Sequence, residues 1–117
     1  MKAKALQNLR AGNLLFDRGL YDAAASRHYY AVFQASVHVL ESRRVTPAAA
    51  IPGARRWGHP TVRARIAEVR GRPEDERFFG SLRDLRDKAD YNHRSVGFLA
   101  VESCRSEVER FVLETTG

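Results

Sequence analysis

The chain has 117 residues, with 20 lysine and arginine residues against 14 acidic ones, so its formal net charge is +6. This length predicts one domain, spanning residues 1–117, because a second hydrophobic core has no room. The single cysteine excludes an internal disulfide and a cysteine-based zinc knuckle, and no apolar run approaches the roughly 20 residues of a membrane span. The N-terminus lacks the apolar core of a signal peptide, so we expect a cytoplasmic protein without a membrane segment.

Hydrophobic periodicity predicts helices throughout and no strand. Apolar side chains at helical spacing predict helices over about residues 2–18, 23–42, 61–69, 73–91 and 95–115. Prolines and glycines predict a loop over residues 45–60. The second helix is apolar around most of its circumference, so we expect it at the centre of the fold. The predicted fold class is all-α, an up-and-down four-helix bundle with one additional short helix.

The positive charge is concentrated in one segment. Residues 43–72 contain eight arginines and one acid, which gives this basic segment a charge of +7, whereas the rest of the chain sums to −1. Such a distribution is typical of proteins that bind phosphate or an acidic partner, although arginine in a surface loop is often only solvated. The residues that we predict to contact RNA are Arg43, Arg44, Arg55, Arg56, Arg63 and Arg65.

Common site types are missing from the sequence. There is no glycine-rich phosphate loop and no metal-ligand spacing among the four histidines, so we predict neither a metal nor a cofactor. His28 and His38 lie ten residues apart on one predicted helix, and we expect both to be partly buried. Cys104 falls on an apolar helix face, which indicates a small buried side chain rather than a reactive thiol.

Residues 83–94 alternate in charge and permit two interpretations. One is a solvated helix face with pairs four residues apart, Asp84 with Lys88 and Arg86 with Asp90. The other starts from Arg86 and His93, which would share one face of a continuous helix. An arginine and a histidine can together cleave an RNA phosphodiester without a metal, because the ribose 2′-OH supplies the nucleophile.

Two stretches of the sequence carry a family resemblance. Residues 19–36 read GLYDAAASRHYYAVFQAS, and residues 82–91 read LRDLRDKADY. The first resembles the second-helix signature of small prokaryotic HEPN proteins, "Y..A.SRAYYA.FHAA..LL". The second resembles their "L..LR..ADY" stretch. The resemblance covers about residues 5–112, nearly the whole chain.

The resemblance implies a homodimeric helical bundle that acts as a toxin and pairs with a minimal nucleotidyltransferase antitoxin. Active members are metal-independent ribonucleases with an Arg-x(4–6)-His motif. Carried over to this sequence, the motif implies Arg86 and His93 as catalytic residues and Asp87 as the polar neighbour. The alternative is a non-catalytic HEPN partner module that binds a nucleotidyltransferase or a nucleotide.

A third interpretation is a purely structural helical dimer. Four residues of the two stretches are then expected to be structural or orienting: Arg27, Tyr30, Asp90 and Tyr91. A buried Arg27 could pair with an acid among Asp84, Asp87 and Asp90, and Tyr91 would pack against or orient His93.

Overall fold

Five α-helices make up the described part of the chain. The computed structural model describes residues 1–46 and 57–117. The helices are α1 (Lys2–Asp17), α2 (Tyr21–Ser42), α3 (His59–Arg70), α4 (Glu74–Tyr91) and α5 (Phe98–Thr116). Neither described segment contains a strand, so the predicted all-α class is confirmed. Arg55, Arg56 and most of the predicted 45–60 loop lie outside the described residues.

Glycine and proline residues mark the boundaries between the first four helices. Gly19, between α1 and α2, has a φ of 76°, and Gly71 ends α3 with a φ of 63°. Both angles lie in the left-handed region, where a side chain would be strained. Pro73 precedes α4, whose first turn carries Glu74, Asp75 and Glu76. The sequence predicted this start, because acids near a helix N-terminus face the positive end of its dipole.

The start of α5 differs from the prediction. The helix begins at Phe98 rather than at Ser95, because Gly97 still has extended backbone with φ −90° and ψ 170°. The carboxylate of Asp22 accepts a hydrogen bond of 2.7 Å from the backbone N–H of Val96. Asp22 therefore joins the first turn of α2 to the segment before α5.

Helix α2 lies at the centre of the described structure, as its apolar circumference predicted. It contacts each of the other four helices, most extensively α1. Its alanines Ala24, Ala31 and Ala35 are fully buried, which allows close approach of the neighbouring helices. The core around α2 also includes Leu9, Tyr29, Val32, Leu40, Val62, Ile66, Phe79, Leu82, Val108 and Val112.

Helix α3 starts earlier than predicted and is longer. It begins at His59 and has 12 residues, with Pro60 in its first turn. Proline is tolerated there because the first backbone N–H groups of a helix have no partner within it. Because of the earlier start, His59 is the first residue of α3, and its ring lies beside α2. Among the helices of the described segments, none has the length and apolar content needed to cross a membrane.

Candidate functional site

Arg86 is the best-anchored residue among the predicted site residues. It lies on the side of α4 that faces α2, and its Nη2 donates a hydrogen bond of 2.8 Å to the hydroxyl of Tyr30. Its Nε lies 3.0 Å from Asp90 Oδ2, and its Nη1 lies 3.4 Å from Asp87 Oδ1. The side chain is only 15% exposed. Contacts from both α2 and α4 therefore fix the guanidinium.

Aromatic rings surround this guanidinium. Its central carbon lies 5.2 Å from the ring centre of Tyr30, 5.7 Å from that of Tyr29 and 5.8 Å from that of Tyr91. Burial opposes the charge of Arg86, but its tyrosine and carboxylate neighbours outweigh burial and raise its pKa above the ordinary value. Arg86 therefore stays charged.

His93 lies outside the helix that carries Arg86. Helix α4 ends at Tyr91, and Asn92 has extended backbone with φ −86° and ψ 152°. His93 is exposed and makes no hydrogen bond or ion pair with another described residue. Arg86 and His93 therefore do not share a face of one continuous helix, because α4 ends at Tyr91, as predicted, two residues before His93.

His59 lies beside α2 and α4. The sequence did not predict this position. Its Nδ1 is hydrogen-bonded to the hydroxyl of Tyr29. The ring centres of Phe33 and Tyr29 lie 4.6 Å and 5.5 Å from that of His59. The imidazole is partly exposed. Since His59 is 30 residues from Tyr29 along the chain, no local spacing in the sequence could have linked them.

The charge states of this cluster follow from burial and from two arginines. Burial lowers the pKa of His59, and the charges of Arg83 and Arg86 lower it further. Burial raises the pKa of Tyr29 to about 12, although the same arginines oppose the rise. At neutral pH, His59 is therefore mainly uncharged and Tyr29 keeps its proton.

An open groove is lined by residues of α4 and by Asn92, which follows it. Its volume is about 670 Å³, and its walls are Arg83, Asp84, Arg86, Asp87, Lys88, Tyr91 and Asn92. Tyr91 is 73% exposed, so its ring is available to stack on a planar ligand. Three bases and two acids line the groove, which leaves it modestly positive.

Most of the described arginines of the basic segment have partners. Arg43 donates to the carbonyl of Val69 at 3.0 Å. Arg63 donates to the carbonyl of Glu76 at 3.0 Å, and Arg65 lies 3.5 Å from the carboxylate of Glu68. Of the other residues predicted to bind RNA, Arg44 is exposed with a φ of 59°, and Arg55 and Arg56 lie outside the described residues.

Arg70, also in the basic segment, has a structural position. Its side chain is 11% exposed and lies 3.3 Å from Asp75 and 3.2 Å from Glu114. Its guanidinium stacks over Phe111 at 4.7 Å. Burial raises the pKa of Asp75, while Arg70 and Arg72 oppose the rise. Part of the +7 charge therefore joins α3 to α4 and α5 and is not directed at a ligand.

Arg27 does not lie beside the acids of α4. It is exposed and donates to Asn8 Oδ1 at 3.2 Å, while Asn8 donates to Gln34 at 2.7 Å. The pairing of a buried Arg27 with Asp84, Asp87 or Asp90 is therefore not found. Arg86 occupies that position instead.

The cysteine and the two histidines of α2 occupy buried or partly buried positions. Within residues 1–46 and 57–117, no three His, Cys, Asp or Glu side chains are arranged to hold a metal ion. Cys104 is partly buried against the core, and His38 is also partly buried. His28 is completely buried, more than the sequence predicted.

No protein-family model matches this chain, and no curated protein matches its sequence.

Proposed function

We propose that this chain is an HEPN-type protein that cleaves RNA without a metal ion. In this proposal its helices form an up-and-down four-helix bundle with one additional short helix, and a nucleotidyltransferase antitoxin restrains its activity. Support comes from a contact between the two stretches that resemble the family. Tyr30 of the first stretch binds Arg86 of the second, and Asp90 holds the same guanidinium.

The observation that carries the proposal is the fixed guanidinium of Arg86 in the wall of an open groove. Arg83 and Lys88 add positive charge to the same groove, and Tyr91 offers an exposed ring. Single-stranded RNA is recognised by such a combination of cations and stacking platforms. Arg86 would stabilise the charge that develops on the phosphate oxygens.

His93 supplies an imidazole close in sequence to this groove. It follows Asn92, the last residue of the groove wall, and its side chain is exposed to solvent. An exposed imidazole can donate a proton to the leaving oxygen of a phosphodiester. Asp87, the polar neighbour of the motif, contacts Arg86 and helps to orient it.

A homodimer is part of the proposal. Large apolar side chains are exposed where the α1–α2 turn lies near the start of α5: Leu20 is 54% exposed, Phe98 is 43% exposed and Leu99 is 77% exposed. Exposed apolar groups of this size favour association with another protein surface. Sedimentation of the wild type and of Leu99→Ser at several concentrations tests this part of the proposal. A monomeric wild type would contradict it.

The test of the activity is cleavage of a single-stranded RNA by the purified protein in EDTA. We expect products with a 2′,3′-cyclic phosphate, and no cleavage of the same oligonucleotide with 2′-deoxyribose. Arg86→Ala and His93→Ala should each lower the rate by about 100-fold or more, as expected for lost charge stabilisation or proton transfer. Arg77→Ala, an exposed arginine elsewhere on α4, is the matched control and should cleave like the wild type.

Because Arg86 also joins α2 to α4, its alanine variant could unfold. Arg86→Lys keeps a positive charge but cannot contact Tyr30 and Asp90 with the same fork of donors, so it should fold and still lose most activity. Circular dichroism checks the fold of each variant. Wild-type protein without activity on any RNA, or Arg86 and His93 variants that cleave normally, would refute the ribonuclease assignment.

The second candidate function is a non-catalytic partner module. The observation that favours it is the engagement of Arg86, whose donors already face Tyr30, Asp87 and Asp90. In that case the wild type would co-purify with a nucleotidyltransferase encoded beside it, or bind ATP in calorimetry, and would leave RNA intact. Cleavage of RNA by the wild type would exclude a purely non-catalytic role.

A further inference from the structure

We propose that His59 is the general base of the RNA-cleaving site and that Tyr29 is its positioning residue. This inference rests on the proposed ribonuclease function and adds a second histidine to it. Transesterification of RNA without a metal requires two proton transfers, one from the 2′-OH and one to the leaving 5′-oxygen. A single imidazole cannot take up and supply a proton at the same moment. With His93 as the proton donor, the site still needs a base.

The geometry of His59 fits this role. Its ring lies against Tyr29 and Phe33, and Nδ1 is hydrogen-bonded to the hydroxyl of Tyr29. A base held at one ring nitrogen presents the other in a defined direction, as an orienting third group does in a catalytic triad. His59 is also partly exposed, so RNA can approach it.

His59 and Arg86 flank the same pair of aromatic rings. The ring centres of Tyr29 and Tyr30 lie 5.5 Å and 6.5 Å from that of His59. The central carbon of Arg86 lies 5.7 Å and 5.2 Å from those same ring centres. The base and the arginine therefore belong to one cluster, built where α2, α3 and α4 meet.

The charges around His59 keep it in the form that a base requires. Arg83 and Arg86 on α4 disfavour its protonation, whereas Asp87 on α4 favours it. Among the described residues, Tyr29 and Tyr30 on α2 also face the ring. Burial is the largest cause, and with the two arginines it holds the pKa of His59 below its ordinary value. The base is the tautomer in which Nδ1–H donates to the Tyr29 oxygen and Nε2 carries the free lone pair.

The reaction balances without an oxidant, a reductant or a metal. Nε2 of His59 takes the proton of the ribose 2′-OH, and the 2′-oxygen forms a bond to phosphorus. The bond between phosphorus and the 5′-oxygen breaks, and His93 gives that oxygen its proton. The products are a 2′,3′-cyclic phosphate and a 5′-hydroxyl. His59 then returns its proton to water, and His93 regains one.

The experiment measures cleavage of a single-stranded RNA in EDTA by wild type, His59→Gln, His93→Gln and His38→Gln, from pH 5 to pH 9. We expect His59→Gln to lower kcat/KM by about 100-fold or more and to remove the acid limb of the pH profile. His38→Gln is the matched control, because His38 is a partly buried histidine of α2 with no part in this cluster, and it should retain wild-type activity. Tyr29→Phe should lower kcat about tenfold with little change in KM, because it removes only the group that orients the base.

The outcomes separate this inference from the function on which it rests. One outcome is that the wild type cleaves RNA, His93→Gln does not, and His59→Gln cleaves with an unchanged pH profile. That outcome refutes the role of His59, and the ribonuclease function stands. If the wild type cleaves no RNA, both fall. If His59→Gln does not fold, Tyr29→Phe decides: unchanged kcat and pH profile would overturn the inference. Loss of the acid limb in His59→Gln alone supports it.

Discussion

A histidine with a lowered pKa lies on each of two sides of α2, and the two histidines differ in what they can do. On the side facing α1, His28 is 1% exposed and its Nε2 lies 3.0 Å from Asn13 Oδ1. On the side facing α3 and α4, Tyr29 holds the partly exposed His59 beside two arginines. A lowered pKa alone therefore does not identify a reactive histidine. Access for a ligand makes the difference, because His59 is partly exposed and His28 is not.

The same contrast applies to two well-anchored arginines. Arg70 and Arg86 have similar exposure, 11% and 15%. The partners of Arg70 are the carboxylates of Asp75 and Glu114, which lie on other helices and tie those helices together. Arg86 pairs with two carboxylates of its own helix, and it also has a tyrosine hydroxyl, three nearby rings and a place in the wall of the groove. We therefore expect variants at His28 and Arg70 to change stability, and variants facing the groove to change binding and activity.

The largest expected effect on stability is the protonation of His28. Burial and the charge of Arg105 lower its pKa to about 4, against 6.5 in the unfolded chain. Between these values the unfolded state binds more protons, so the free energy of unfolding falls as pH drops from 6.5 towards 4 and is at its full value above 6.5. The full loss from this group is about 3 kcal/mol. Urea unfolding at a series of pH values measures it.

A His28→Gln variant isolates this contribution. Carboxylates also titrate in the acid range, so the relevant quantity is the difference between the pH dependence of the wild type and that of the variant. We expect the variant to show a much smaller decrease between pH 6.5 and pH 4. Parallel curves for the two proteins would show that His28 does not carry the acid sensitivity, and the contrast between the two sides of α2 would weaken.

A smaller effect is expected where α1 approaches His28 most closely. Gly12 is buried, and a Cβ at this position would lie closer to Cδ2 of His28 than van der Waals contact allows. Gly12→Ala should lower the free energy of unfolding by about 2 kcal/mol, in the range of other overpacked cores. Gly97→Ala is the control, because no atom lies within 4 Å of its added Cβ. Chemical denaturation of both variants checks this.

The double variant Gly12→Ala/His28→Ala tests the cause. If the ring is the obstacle, the two substitutions together should cost less than the sum of their separate costs. Additive costs would show that Gly12→Ala acts elsewhere, for example through the backbone of α1. Cleavage of RNA per folded molecule should be unchanged in Gly12→Ala, because Gly12 belongs to the side of α2 that faces α1.

The sequence predicted the helices well because their signals are local. The Arg86–Asp90 pair is also local, since four residues on a helix bring the two side chains together, and it forms at 3.0 Å. The position of His59 depends on the packing of α3 against α2 and α4, which no spacing along the chain encodes. The end of α4 at Tyr91 was predicted from the sequence, so His93 lies beyond the helix that carries Arg86. Tertiary contacts decide the candidate site.

The smallest expected effect is on the groove side, at Tyr91. Its ring is 73% exposed and lies in the wall of the groove near Arg86. Under the proposed function a base of the RNA stacks on this ring, a contact worth about 1 kcal/mol at the low end for such stacking. Tyr91→Ser should therefore weaken RNA binding about fivefold, while Tyr91→Phe keeps the ring and the affinity. Fluorescence anisotropy with a labelled RNA at fixed salt measures both.

Stability provides the control for this last comparison. Since Tyr91 is mostly exposed, Tyr91→Ser should leave the free energy of unfolding within about 0.5 kcal/mol of the wild type. Leu113→Ser, at a 53% exposed position on α5, is the matched surface variant and should affect neither binding nor stability. Equal RNA affinity for wild type and Tyr91→Ser would show that no base stacks on Tyr91. In that case the groove would bind RNA through the charges of Arg83, Arg86 and Lys88. The salt dependence of RNA binding should be the same with and without the Tyr91 ring, because counterion release follows the number of phosphates neutralised.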